Sequence, residues 1–147
     1  MASPPLPGKL QEVVDLFRET PAQDRLDLLL EFAESLPEPP QRYLDDPELL
    51  EPVPECQSPF FLAAELEEGR VALHFKVPRA TPTVRGYAGV LHDGLSGTTP
   101  EEILEVPDGF YQEMGLEDVI SPLRLRGMGA ILTRLKARVT RLMAHQA

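Results

Sequence analysis

The chain has 147 residues, 42% hydrophobic and 26% charged, with a net charge of −10; that is the size and make-up of one soluble globular domain, 1–147. It holds no run of about 18 apolar residues, so no membrane-spanning helix is expected. All 24 acidic residues, but only eight of the 14 Lys and Arg, lie in residues 1–118, a net −16; such a surface repels nucleic acid, and the +6 that follows fits on one helix.

In chain order, Leu10, Val13, Val14 and Phe17 follow the i, i+3, i+4, i+7 rule of an amphipathic helix. Thr20-Pro21-Ala22-Gln23 reads as a capping box with Pro at the first helical position. The helix it opens is predicted to bury Leu26, Leu29, Leu30 and Ala33 and to end near Leu36. Seven prolines between Pro37 and Pro59 predict an irregular connector without helix, of a length that is often functional. A short strand is predicted near Leu50–Val53. Phe60–Leu66 and Arg70–Val77 have strand composition, and Glu68-Gly69 supplies a hairpin turn. Val71, Leu73, Phe75 and Val77 then share one face, and Ala72, His74 and Lys76 the other. Val84, Tyr87, Ala88 and Leu91 restore a helical stripe that Gly94 can end. Thr99-Pro100-Glu101-Glu102 is a second capping box, opening a short helix through Val106, and a further helical turn is predicted near Gly109–Met114. The last helix, from about Leu125, carries Met128, Ile131, Leu132, Leu135, Val139 and Leu142 on one face. Helices, then strands, then helices predict an α+β fold.

Chemistry centres on Cys56, the single cysteine. Alone it forms no internal disulfide and no multi-thiolate metal site, and an iron–sulfur cluster needs about four such ligands. His74, His92 and His145 lack ligand spacing to it, so no metal is expected. Gly127-Met128-Gly129 lies inside a helical pattern and is not a phosphate loop. The start, Met1-Ala2-Ser3-Pro4-Pro5-Leu6-Pro7, lacks the basic and apolar parts of a secretory signal, which with an unpaired thiol leads to the cytoplasm. Three readings of the thiol stand side by side. It is an inert small hydrophobe; a hydrolase nucleophile, with His74 in reach if the strand-like segments pack together; or a sulfur acceptor. The last needs only one thiolate, which attacks the outer sulfur of a partner's persulfide.

The segment Val53-Pro54-Glu55-Cys56-Gln57-Ser58-Pro59-Phe60-Phe61-Leu62 resembles the Cys-Gln-Ser signature of the SufE family, sulfur acceptors for cysteine desulfurases. Phe75, Val84-Arg85-Gly86, Gly97-Thr98-Thr99-Pro100-Glu101-Glu102-Ile103 and Gly115-Leu116 follow in family order. Ser121-Pro122-Leu123-Arg124-Leu125-Arg126-Gly127 is similar to the family's Ser/Thr-Pro-x-Arg-x-Asn/Gln-Gly. The resemblance covers most of the chain. It implies a SufE/NifU-like fold, a curled antiparallel sheet of about three strands flanked by helices. It further implies that Cys56 takes sulfur from a PLP-dependent, SufS-like desulfurase, stimulates that enzyme, and passes sulfur to a SufBCD-like iron–sulfur scaffold. The chain itself would hold no cofactor, would not be an enzyme, and would be a monomer or weak homodimer. Arg124 matches the family's Arg, either supporting anionic sulfur or satisfying nearby backbone and carboxylates; Arg85-Gly86 reads as packing. A regulatory module that carries no sulfur is the alternative, ahead of a Cys–His hydrolase.

The departures from the pattern bear on reactivity. Glu55 replaces the family's Gly before the Cys, and a neighbouring carboxylate disfavours the thiolate and restricts the loop. Pro78-Arg79-Ala80 replaces an acidic pair, Val119 a His, and Arg126 an Asn/Gln.

Overall fold

The computed structural model describes residues 6–56 and 58–146. Gln57 of the signature tripeptide, and residues 1–5 of the start read for a signal, lie outside the described residues. Helix α1 (Gly8–Glu19) buries the predicted Leu10, Val13, Val14 and Phe17. A 3-10 turn at Ala22–Asp24 leads into α2 (Arg25–Ser35), of whose predicted stripe only Leu29 and Ala33 are fully buried. The capping box predicted at Thr20–Gln23 does not form. Thr20 Oγ1 donates back to Leu16 O at 2.7 Å, closing α1 instead, because a hydroxyl near an open carbonyl takes the local bond.

The proline-rich connector does contain a helix, contrary to expectation: α3 (Gln41–Asp45). Pro40 is its N-cap at φ −53°, as Pro7 is for α1 at φ −51°, and residues 41–46 are free of proline. Proline blocks helix interiors but not helix starts. A 3-10 turn at Pro47–Leu49 then delivers β1 (Glu51–Pro52).

β1, β2 (Phe61–Glu67) and β3 (Arg70–Lys76) form an antiparallel sheet in that order. Glu68 and Gly69, at φ 53° and 79°, make the two-residue turn whose left-handed backbone matches the twist of its strands. Leu62↔Phe75, Ala64↔Leu73 and Leu66↔Val71 pair on the face toward the main core. Ala63↔His74 and Glu65↔Ala72 pair on the other, where Tyr43 of α3 and Leu50 build a second, small cluster.

Helix α4 (Pro82–Leu95) packs against α1, α2 and β3 with ten of its 14 residues buried. A side chain at Gly86 or Gly89 would strike the Leu29 or Phe32 carbonyl of α2, so these two glycines let the helices touch through their backbones. Gly94 does not end the helix as predicted. A Cβ there would stand 2.7 Å from Leu10 Cδ1, so its smallness serves the approach of α1. Arg85 is buried, donating to Ala33 O at 3.0 Å, Val77 O at 2.6 Å and Leu36 O at 3.2 Å, which is a packing role. Helix α5 (Pro100–Leu104) opens with the predicted Thr99–Glu102 capping box and ends before Val106. After 3-10 turns at Phe110–Met114 and Leu116–Asp118, α6 (Pro122–Gln146) starts three residues ahead of the predicted Leu125. It lays Met128, Ile131, Leu132, Leu135 and Val139 into the core across β2. The result is the α+β fold that the element pattern predicted, with the three antiparallel strands flanked by helices that the family resemblance implied. Among the described residues no helix is long and apolar enough to cross a membrane.

Candidate functional site

The edge of the sheet and the mouth of α6 meet at Cys56. Val53 N–H donates to Phe60 O at 2.9 Å, extending the β1–β2 pairing, and Cys56 N–H turns back to Val53 O at 3.1 Å. That turn tips the Cys56 side chain inward, half-buried against the main core. Its Sγ lies 3.8 Å from Gly127 O, a long contact suited to a weak S–H donor. Gly127 matters for what it lacks: even a Cβ there would stand 3.6 Å from Sγ, so a larger side chain would crowd the sulfur.

A cavity of about 70 Å³ opens beside the thiol, lined by Cys56, Ser58, Val84, Leu123, Arg124, Gly127, Met128 and Ile131. Its lining is mixed, and by volume it has room for one more sulfur atom or a few waters. Arg124 and Leu123, exposed on the first turn of α6, lie at its rim. Arg124 N–H donates to Ser121 Oγ at 3.4 Å, a local contact that helps fix the start of the helix. The two residues predicted to form the site, Cys56 and Arg124, therefore line one cavity although 68 positions separate them.

Burial pushes the Cys56 thiol up to about 11, and the Glu55 carboxylate adds to the rise. The carboxylate effect read from sequence is present, yet burial outweighs it. Glu55's partner was not foreseen. Arg134 Nε and Nη2 donate to its two oxygens at 2.8 and 3.1 Å, and this bond holds the Glu55 carboxyl below its usual range. Arg134 also reaches Glu51 Oε2 at 3.6 Å. Only the run of basic residues on one helix hinted at such pairing.

His74 does not join the thiol. Its ring packs against Tyr43, tilted by 42° with centroids 5.1 Å apart, and Nε2 stands 3.7 Å from Glu65 Oε1. That is the opposite face of the sheet from Cys56, since successive strand side chains alternate. Burial lowers its pKa. A Cys–His pair is thus not assembled, and among the described residues no histidine lines the Cys56 cavity. Nor, among those residues, can any group of three or more His, Cys, Asp and Glu hold a metal ion. Of the departures from the family pattern, Val119 packs partly buried on the core and Arg126 is exposed.

A single half-buried thiol beside a small cavity, on a scaffold of this order, defines a class of α+β domains built around one cysteine. The family model described as SufE, a Fe-S metabolism associated domain, matches residues 11–139, and the chain belongs to the SufE family. An uncharacterised SufE-like protein of Mycobacterium tuberculosis is 50% identical over 135 residues, covering 91% of this chain and 93% of that one. The cysteine desulfuration protein SufE of Plasmodium vivax is 29% identical over 133 residues, covering 82% and 55% respectively. The solution structure of a hypothetical protein from Thermus thermophilus superposes with a TM-score of 0.85 at 46% identity, covering 95% of this chain and 99% of that chain. The chain's role therefore lies in the sulfur side of iron–sulfur metabolism, in a family of accessory sulfur-transfer proteins.

Proposed function

We propose that residues 1–147 form one sulfur-acceptor domain, in which Cys56 takes sulfur from a PLP-dependent cysteine desulfurase and yields it to an iron–sulfur scaffold complex. The observation that carries this reading is the cavity: the lone thiol abuts a space of mixed lining with room for a second sulfur atom. The family and its desulfuration relative supply the donor enzyme. The pyridoxal cofactor belongs to that enzyme.

A thiol held up to about 11 is protonated at neutral pH, so the resting carrier is unreactive while closed. Once the turn at Val53–Cys56 carries the sulfur into a polar partner site, the burial effect is lost and the thiol gives up its proton to a base of that site or to solvent, leaving the thiolate. It attacks the outer sulfur of the donor's persulfide. A bond forms between Cys56 Sγ and that sulfur, the donor's S–S bond breaks, and the donor thiolate departs. No net oxidation occurs, as in thiol–disulfide exchange. Arg124 at the rim supports the anionic outer sulfur when the loaded side chain folds back. The setting is cytoplasmic, and the free protein is a monomer or weak homodimer that binds no nucleic acid.

The test is intact mass spectrometry after incubation with a cysteine desulfurase and free cysteine. The chain should gain one or more sulfur atoms of about 32 Da each, removable by reductant, and Cys56→Ala should gain none. A sulfur adduct on the Ala variant would end the proposal. Full stimulation of the desulfurase by Cys56→Ser would instead make the chain a regulatory module that carries no sulfur.

A further inference from the structure

Cys56 and its neighbour Glu55 are attached to the same face of one helix. Sγ meets Gly127, while the Glu55 carboxylate meets Arg134, seven residues and so two turns further along α6. The sulfur contact, at 3.8 Å, is weak. The carboxylate contact comprises two charge-assisted bonds at 2.8 and 3.1 Å, the stronger kind. The guanidinium is steadied from its far side. Glu51 Oε2 lies 3.6 Å from Arg134, and Glu51 in turn accepts from Arg138 at 3.4 Å and Arg141 at 2.6 Å. Arg134 therefore keeps its place when Glu55 lets go. Both partners are partly exposed, 34% for Arg134 and 47% for Glu55, which places their bond within reach of solvent and salt.

We propose that the Arg134–Glu55 ion pair is a catch that sets how often Cys56 leaves its cavity, making Arg134 a positioning residue for the sulfur acceptor. The functional consequence rests on the acceptor reading above; the catch itself does not. A partner opens it by offering Arg134 a competing carboxylate or Glu55 a competing cation.

The sign of one experiment separates this from plain electrostatics. Removing a cation near a thiol disfavours the thiolate and slows alkylation. Removing a catch speeds it. We expect Arg134→Gln to be alkylated by iodoacetamide at neutral pH roughly twofold to fivefold faster than the wild type in low salt, the range of a partly exposed ion pair. Arg134→Lys, which keeps the charge but loses the fork, should fall between the two. The charge-reversed Glu55→Arg/Arg134→Glu pair should return toward the wild-type rate. At about 1 M salt, where screening acts within roughly 3 Å, Arg134→Gln and wild type should converge. Arg138→Gln loses contacts to Glu51 and Leu49 O but none to Glu55, and should label at the wild-type rate; far-UV dichroism checks that all variants fold. Labelling of Arg134→Gln at or below the wild-type rate in low salt overturns the catch, as does a gain that persists at high salt. Sulfur loading by the desulfurase is measured in parallel. If Arg134→Gln labels faster but no variant takes up sulfur, the catch stands and the acceptor reading falls. If sulfur loads while labelling is unchanged, the reverse holds.

Discussion

The half-buried thiol makes stability depend on alkaline pH in a direction that can be worked out. An acid whose folded-state pKa is raised binds its proton more tightly when folded. Its contribution is complete below the unfolded value and is lost as pH rises through the folded one. For Cys56 that window runs from its ordinary value of 9.0 to about 11. The full rise corresponds to at most about 2.7 kcal/mol. The sulfur is only half-buried, so solvent screening reduces this to roughly 1–2 kcal/mol. A charged sulfur can also escape by local opening of the turn, which caps the loss at the cost of that opening. The assay is urea unfolding under reductant across this range for the wild type and Cys56→Ser, whose hydroxyl does not titrate there. Groups remote from the sulfur cancel in the difference, and Tyr87, which feels a small push from Cys56, is held well above its ordinary value chiefly by burial. The wild type should lose roughly 1–2 kcal/mol relative to the Ser variant between about pH 8 and pH 11. Parallel stability curves would refute the burial argument and return the thiol to an ordinary, solvated titration.

Three further outcomes are expected. Gly89→Ala drives a methyl into the Phe32 carbonyl of α2 and should cost about 1–3 kcal/mol or more in urea unfolding, as overpacking does; a neutral result would mean that α2 and α4 separate freely. Arg85→Leu strips the donors from the Ala33, Leu36 and Val77 carbonyls and should cost roughly 3–5 kcal/mol, with Lys restoring only part; thermal melts read this directly. Gly127→Ala puts a methyl 3.6 Å from Cys56 Sγ, an ordinary contact. It should stabilise α6 by about 0.5–1 kcal/mol while slowing alkylation of Cys56, and a destabilised variant would show that the contact is tighter than its distance implies.

Legibility followed the range of the forces involved. The stripe of α1, the β2–β3 hairpin with Glu68-Gly69 and the Thr99 capping box depend on residues within a few positions of one another, and all three were readable. Helix α3 was missed because prolines were weighed by number, whereas Pro40 and Pro47 bracket the helix rather than interrupt it. Thr20 carried the capping pattern, but a competing carbonyl four residues back, at Leu16, won its hydroxyl. Gly94 was read as a stop through its backbone freedom; its actual constraint is Leu10, 84 positions away. At the site, short motifs pointed to Cys56 and Arg124, which line one cavity, and the direction of Glu55's effect on the thiol was legible from its place beside it. Arg134 was invisible because it meets Glu55 across 79 residues, a pairing that only the packing of α6 on β2 creates.

Arg85 binds the assembly process as well as the finished fold. Its three carbonyl partners come from residues 33, 36 and 77, contributed by α2, by the start of the connector and by the exit of β3. An intermediate with the helical hairpin formed but the sheet undocked, or the reverse, would hold a desolvated guanidinium short of acceptors, or leave it in water with α4 unable to bury. Half-built forms are thereby penalised. The helical and sheet portions should appear in a single transition, coincident by probes of helix and of strand, so that the protein spends little time as a partly folded chain with its thiol uncovered.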